Sequence, residues 1–173
     1  MTGKLLAIIL LASAALAGGA MYYLQVYGFY YEVEAQPGQD VTLLPDDTDT
    51  PVGISYEQFQ AIDADSSPIR YRACFQTELG FDQLQAYQRV ENPEPLTAPG
   101  WFDCYDAVEL ADDLKSGRAQ AFLGAKNIRY GVDRIVAITE DGAGYVWHAL
   151  NNCGEKAYDG TVVGEECPPR PES

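Results

Sequence analysis

From Leu5 to Tyr31 the chain carries no charged side chain, and Ser13 and Gln25 are its only strongly polar ones. As a helix rising 1.5 Å per residue, this run reaches roughly 40 Å, more than the ~30 Å hydrocarbon core of a bilayer. Such a stretch serves as a membrane span or a leader, and either use dictates how the remainder is arranged. Met1-Thr2-Gly3-Lys4 precedes it, and no lysine or arginine follows until Arg70. The positive-inside bias therefore predicts a cytoplasmic N-terminus, with everything after the run on the other side of the membrane. Tyr22, Tyr23, Tyr27, Phe29, Tyr30 and Tyr31 crowd the exit end, where amphipathic rings favour the headgroup level.

A cleaved signal peptide is the competing reading, with Leu5 to Leu16 as its apolar region and Ala15-Leu16-Ala17 as a small-x-small cleavage pattern. Cleavage after Ala17 would leave a greasy aromatic tail, starting at Gly18, in water, so the uncleaved anchor is preferred. No cysteine follows the run directly, which argues against a lipoprotein. Ser13/Ala17, Ala14/Gly18 and Ala15/Gly19 are small pairs four apart, the spacing that lets a partner helix approach closely in a membrane. Small residues are also common in spans and leaders generally.

The 173 residues divide into an anchor (1–31), an acidic stalk with one strand at Val41–Leu44 (32–55), one domain (56–167) and a disordered tail (168–173). Net charge is -15; setting Lys4 aside leaves 10 basic against 26 acidic residues, or -16 beyond the anchor. Such a field repels phosphate backbones, so nucleic acid is excluded as a partner, while a basic protein or divalent cations would be favoured. Solubility alone also explains the charge.

Ser55 to Phe59 reads as the start of a short helix with Ser55 as its cap. Ile69 to Thr77 alternates as a strand, and Phe81, Leu84, Tyr87 and Val90 recur at helical spacing. Asp106 can cap a helix through Lys115, stopped by Gly117. Strands are expected at 119–123, 130–139 and 144–150, with Asp141-Gly142 as a hairpin turn and Asp159-Gly160 as a smaller one. This order predicts an α+β fold: one transmembrane helix, then a mainly antiparallel sheet with two to three helices against one face.

Cys74, Cys104, Cys153 and Cys167 all follow the anchor. In an oxidising compartment they form two disulfides, and of three connectivities Cys74–Cys104 with Cys153–Cys167 is preferred because each closes a local loop. No CxxC redox motif and no zinc-ribbon spacing is present. His148, the sole histidine, is the best candidate for catalysis, although a strand histidine is ordinarily satisfied by its neighbours. Asp46, Asp47, Asp49, Asp63 and Asp65 resemble calcium ligands, but the EF-hand frame from Asp63 meets Pro68 and Cys74 where Gly and Glu belong. Gly124-Ala125-Lys126 lacks the P-loop frame. No metal, cofactor or catalytic set is therefore expected. Tyr71, Trp101, Tyr130 and Trp147 are possible pocket walls, with Arg70, Arg72 and Arg129 as anion contacts, though such residues are more often core and ion-pair material.

The stretches Pro68–Phe75, Pro95–Cys104 and Lys126–Arg134, with Gly3-Lys4-Leu5-Leu6 and Tyr22–Tyr27, resemble a family of short, single-pass membrane proteins of alphaproteobacteria. The resemblance implies a Gram-negative inner membrane, a periplasmic domain and no known activity. Members are sometimes described as histidine kinases, yet this chain lacks room for a dimerisation helix pair and an ATP-binding domain. The favoured function is a non-catalytic accessory subunit or tether of an inner-membrane, respiratory-type complex. It would contact lipid and an integral membrane complex through the anchor and a basic periplasmic protein, such as an electron carrier, through the acidic domain. The alternatives are a stand-alone periplasmic ligand-binding or assembly module and, third, a hydrolase using His148.

Overall fold

The computed structural model describes residues 3–169, so most of the tail expected to be disordered, 168–173, lies outside them. Helix α1 spans Gly3–Tyr23 and runs into one π-helical turn, Leu24–Gly28, with no residue of either buried against protein. Three residues later, β1 (Tyr31–Glu32) joins the edge of the sheet by pairing with β4 (Glu57–Asp63). The sheet continues through β5 (Arg72–Gln76), β8 (Ala143–Leu150), β7 (Val132–Thr139) and β6 (Ala119–Arg129), every pair antiparallel. Outside it lie a small ribbon of β2 (Thr42–Leu43) and β3 (Val52–Gly53), the one-turn α2 (Phe81–Leu84), and α3 (Ala107–Ser116). This is the α+β architecture expected, with an apolar helix followed by an antiparallel sheet, except that α2 and α3 pack on opposite faces of the sheet, through Leu84 and Leu110, and not together on one.

The sheet is buried on both faces because its strands carry apolar residues at consecutive positions. In β7, Val136 and Ile138 face one layer while Ile135 and Ala137 face the other. The first layer is closed by Val41, Leu43, Ile54 and Leu84, which lie over Ala73, Phe75, Phe122 and Val146. Gly144 is required here, since a Cβ would lie 2.1 Å from the Phe75 ring. The second layer is closed by Phe102, Tyr105 and Leu110 over Ile62, Cys74, Ala121 and a fully buried Trp147. Helix α3 has the ends expected for it. Asp106 accepts from the backbone N–H groups of Val108 (2.8 Å) and Glu109 (3.1 Å), and Gly117 takes the left-handed conformation at φ +81°.

Three expectations are corrected. The segment 32–55 is not a stalk: Val33 N–H bonds to the Ala61 carbonyl (2.9 Å), and Val41, Leu43, Leu44 and Ile54 are core residues. Its polar composition hid a covering layer in which a few apolar residues, Val41, Leu43, Leu44 and Ile54, point inward while Val52 stays exposed. Ser55–Phe59 is no helix, because Glu57–Asp63 pairs with β5 around a bulge in which Gln58 adopts φ +52°. Phe81–Val90 is helical only to Leu84. The following residues straighten to pair with other strands, with Gln88 N–H bonding Leu44 O (2.9 Å), Leu123 N–H bonding Gln88 O (2.8 Å) and Val90 N–H bonding Ala121 O (2.9 Å). An extended segment there covers part of the free edge of β6, a demand no local spacing reveals.

Candidate functional site

The aromatic collar at the end of the apolar helix is engaged by the domain. Trp101 donates its indole N–H to the Val26 carbonyl (2.7 Å), stacks on Tyr27 at 6.3 Å and meets Tyr30 edge-on at 5.9 Å. The Arg70 guanidinium donates to the Gln25 carbonyl (3.2 Å) and to its side-chain oxygen, and lies 5.4 Å over the Tyr30 ring. Tyr31 donates to Asp65 at 3.2 Å. The C-terminal turn of the apolar helix leaves these carbonyls without helical partners, and two domain side chains supply the donors. Arg70 and Trp101, considered above as pocket parts, thus brace the helix exit.

Arg72 is buried and clamps the proline-rich loop: it donates to the carbonyls of Leu96 (2.8 Å), Thr97 (3.1 Å), Ile69 (2.9 Å) and Tyr71 (2.6 Å). With its donors on carbonyls it is no anion contact, which corrects that candidate role. The Cys74–Cys104 disulfide ties the same loop to β5, and Cys153–Cys167 closes a C-terminal lobe. Tyr71 and Trp147 fall on opposite faces of the sheet and cannot wall one pocket. Tyr130 is at the β6–β7 turn.

One polar row crosses the sheet near the apolar helix. Tyr31 pairs with Asp63, and Arg134 pairs with His148. His148 stacks on Tyr71 at 4.6 Å and 11°, and the Arg134 guanidinium lies 5.2 Å over the other ring of that pair, Tyr71. Nδ1 of His148 is 3.0 Å from the Pro68 carbonyl, and Nε2 faces Arg134 Nε at 3.3 Å, so the ring is neutral with its proton on Nδ1. Burial and the adjacent Arg134 push its pKa down to about 4. Both ring nitrogens are occupied, leaving no base free to act. Arg134 also donates to the carbonyls of Gln39 (3.1 Å) and Asp40 (3.0 Å), and the Asp40 carboxylate accepts from Tyr56 (3.0 Å) and the Gln36 N–H. Burial raises the Asp63 pKa, partly offset by hydrogen bonding and Arg129. Arg134, Asp40 and Tyr56 escaped the sequence reading; an arginine inside an apolar strand run was the available signal.

Among the described residues no group of three or more His, Cys, Asp and Glu side chains could hold a metal. Asp46, Asp47 and Asp49 are exposed in a turn, and Asp63 and Asp65 serve the row just described. Two open grooves remain. One, of about 930 Å³, runs beside Trp147, with Val90, Leu96, Leu123 and Ile135 along it. The other, of about 960 Å³, lies at the end of the sheet away from the apolar helix and is rimmed by Glu57, Glu78, Glu140 and Asp141. The residues lining it include no lysine or arginine.

These features define a class: a three-layer, two-disulfide α+β domain braced on the exit of a long apolar helix. The chain belongs to a family of unknown function (DUF6446), whose model matches residues 41–168. The match starts at Val41, the first core residue of the covering segment, and ends just beyond Cys167. No curated protein and no solved structure matches the chain.

Proposed function

We propose that this protein is a single-pass inner-membrane accessory subunit or tether, which holds its domain in the periplasm and presents an acidic surface to a basic partner. The observation that carries this reading is the braced exit: Trp101 on Val26 and Arg70 on Gln25 fix the domain to the helix. The acidic groove is thereby held at the far end of the sheet, away from the membrane. The 26-residue apolar segment Gly3–Gly28 is unburied in the protein, which favours lipid as its surroundings over water. Small residues from Ser13 to Gly19 supply a face for an integral membrane partner. Disulfides fit an oxidising compartment.

The test is extraction and exchange. The full chain should resist salt and carbonate extraction from membranes. A basic partner should co-purify stoichiometrically in mild detergent, and be lost when Glu57, Glu78, Glu140 and Asp141 are changed to lysine. A monodisperse monomer with no partner, or a partner indifferent to those changes, would overturn the tether. A second reading, a stand-alone ligand-binding module, draws on the groove beside Trp147. A thermal-shift screen with small anions and glycan fragments separates the two, since only the second expects a hit.

A further inference from the structure

The exposed apolar side chains of the domain are unevenly distributed. Among the described residues beyond Tyr31, eight large hydrophobic ones are exposed: Val52, Trp101, Val108, Tyr130, Leu150, Tyr158, Val162 and Val163. Trp101 is at the anchor exit, and the last five lie on the β6–β7 turn, at the end of β8, or in the lobe that follows it.

Register fixes which end of the sheet this is. Tyr31 pairs with Asp63 at the entrance of β1 to the sheet, and β1 runs away from the anchor as it pairs back along β4. Ile62 pairs with Arg72, and Arg72 with Trp147, so the Tyr31 row reaches His148 in β8. Leu150, paired with Val132, lies two residues further toward the anchor, or about 7 Å at strand spacing. Asn151 still bonds to Gly131 at the β6–β7 turn (3.0 Å), and the lobe leaves from there. It therefore begins at the level of the helix exit, where Tyr27 and Tyr30 sit.

The lobe does not fold on a core, since no residue from 151 to 169 is buried. It is shaped by the Cys153–Cys167 bond, by Ala157 N–H to Thr161 O (2.8 Å) and Val163 N–H to Glu155 O (2.9 Å), and by the Lys126–Glu165 ion pair (3.1 Å). Tyr158, Val162 and Val163 are thus displayed on a pre-formed hairpin, so covering them costs little ordering entropy.

We infer that this disulfide-closed lobe is a second membrane contact, inserting Leu150, Tyr158, Val162 and Val163 into the headgroup layer of the bilayer that the anchor spans. The inference rests on the anchored reading above. Tyrosine and aliphatic side chains suit that layer. The lobe also carries Glu155, Asp159, Glu165 and Glu166 against Lys156, so contact is driven by apolar burial and does not need anionic lipid. With the lobe and the helix exit both on the surface, the domain has two supports and its acidic groove is directed outward.

The test uses the full chain in phosphatidylcholine nanodiscs, with p-benzoylphenylalanine replacing Tyr158, Tyr22 or Glu140 in turn and adducts read by mass spectrometry. Lipid adducts are expected at 22 and 158, several-fold above those at 140. Adducts at 22 with none at 158 would overturn the lobe contact while leaving the anchor standing. No adduct at 22 would overturn the anchor, and with it the lobe contact. Cross-linking from 158 to protein instead of lipid would likewise overturn it. All three sites are exposed, so the fold is undisturbed, which intact disulfides in the non-reduced mass would verify.

Discussion

The two disulfides close loops of similar cost in the unfolded chain and do different work in the folded one. Separations of 30 and 14 residues correspond to roughly 3.6 and 3 kcal/mol on the chain-entropy model. Cys74, however, belongs to the layer that contains Phe102, Tyr105 and Trp147, so its bond fastens a loop onto the core. Cys153–Cys167 fastens a lobe onto itself. What a cross-link contributes to global stability depends on whether the closed segment unfolds with the core or separately.

The largest effect should come from Cys74→Ala with Cys104→Ala, which removes a cross-link and loosens the cover over Trp147. We expect a loss of about 3–5 kcal/mol, seen as a fall of more than about 10 °C in the main thermal transition. A shift of only a degree or two would mean the loop is held without its bond.

Arg72→Leu attacks the same loop from its polar side. It strands the four carbonyls of Ile69, Tyr71, Leu96 and Thr97, at a cost of about 2–4 kcal/mol. Urea denaturation of both variants and their combination should show less than additive losses, because the two ties share one loop. Full additivity would separate them.

His148 lies beneath neither loop and probes the sheet alone. Its pKa is about 4 when folded against 6.5 when free, so the unfolded chain binds the extra proton between those values. Stability should be complete above about pH 6.5 and fall as pH drops toward 4, by an amount on the order of 3 kcal/mol. His148→Phe keeps a ring against Tyr71 and should flatten that part of the pH profile, even though the rise in the Asp63 pKa opposes the trend at its acid end. An unchanged slope would show that another group carries it.

The smallest effect on the main transition should come from Cys153→Ser with Cys167→Ser. We expect less than about 1 kcal/mol globally, with faster amide exchange confined to residues 152–167. Equal losses from both disulfide pairs would break the contrast.

Much of this was legible in local chemistry. Asp106 and Gly117 bracket α3 because a cap and a left-handed stop are decided within a turn of chain. Asp141-Gly142 joins two strands because the glycine tolerates φ +84°. Segments that fail locally are those whose partners lie far away in sequence. Gln88 and Val90 are extended because β6 offers an edge, and Glu57–Asp63 is a strand because β5 lies beside it. Of the candidate site residues, Arg70 reads from the sequence as an anion contact and Trp101 as a pocket wall, whereas their donors go to Gln25 and Val26.

By itself the sequence determined what is set by composition and short-range periodicity: a helix long enough to cross a bilayer, an acidic α+β domain and the capped helix within it. Tertiary structure alone decided how these parts meet. It turned the acidic segment after the apolar helix into one wall of the core, and gave Arg72 to a loop and His148 to a stacked, neutral row. It also made the C-terminal lobe leave from the end of the sheet at which β1 enters. Contacts between residues tens of positions apart depend on strand order and register, and those are settled only when all the buried surfaces are satisfied together.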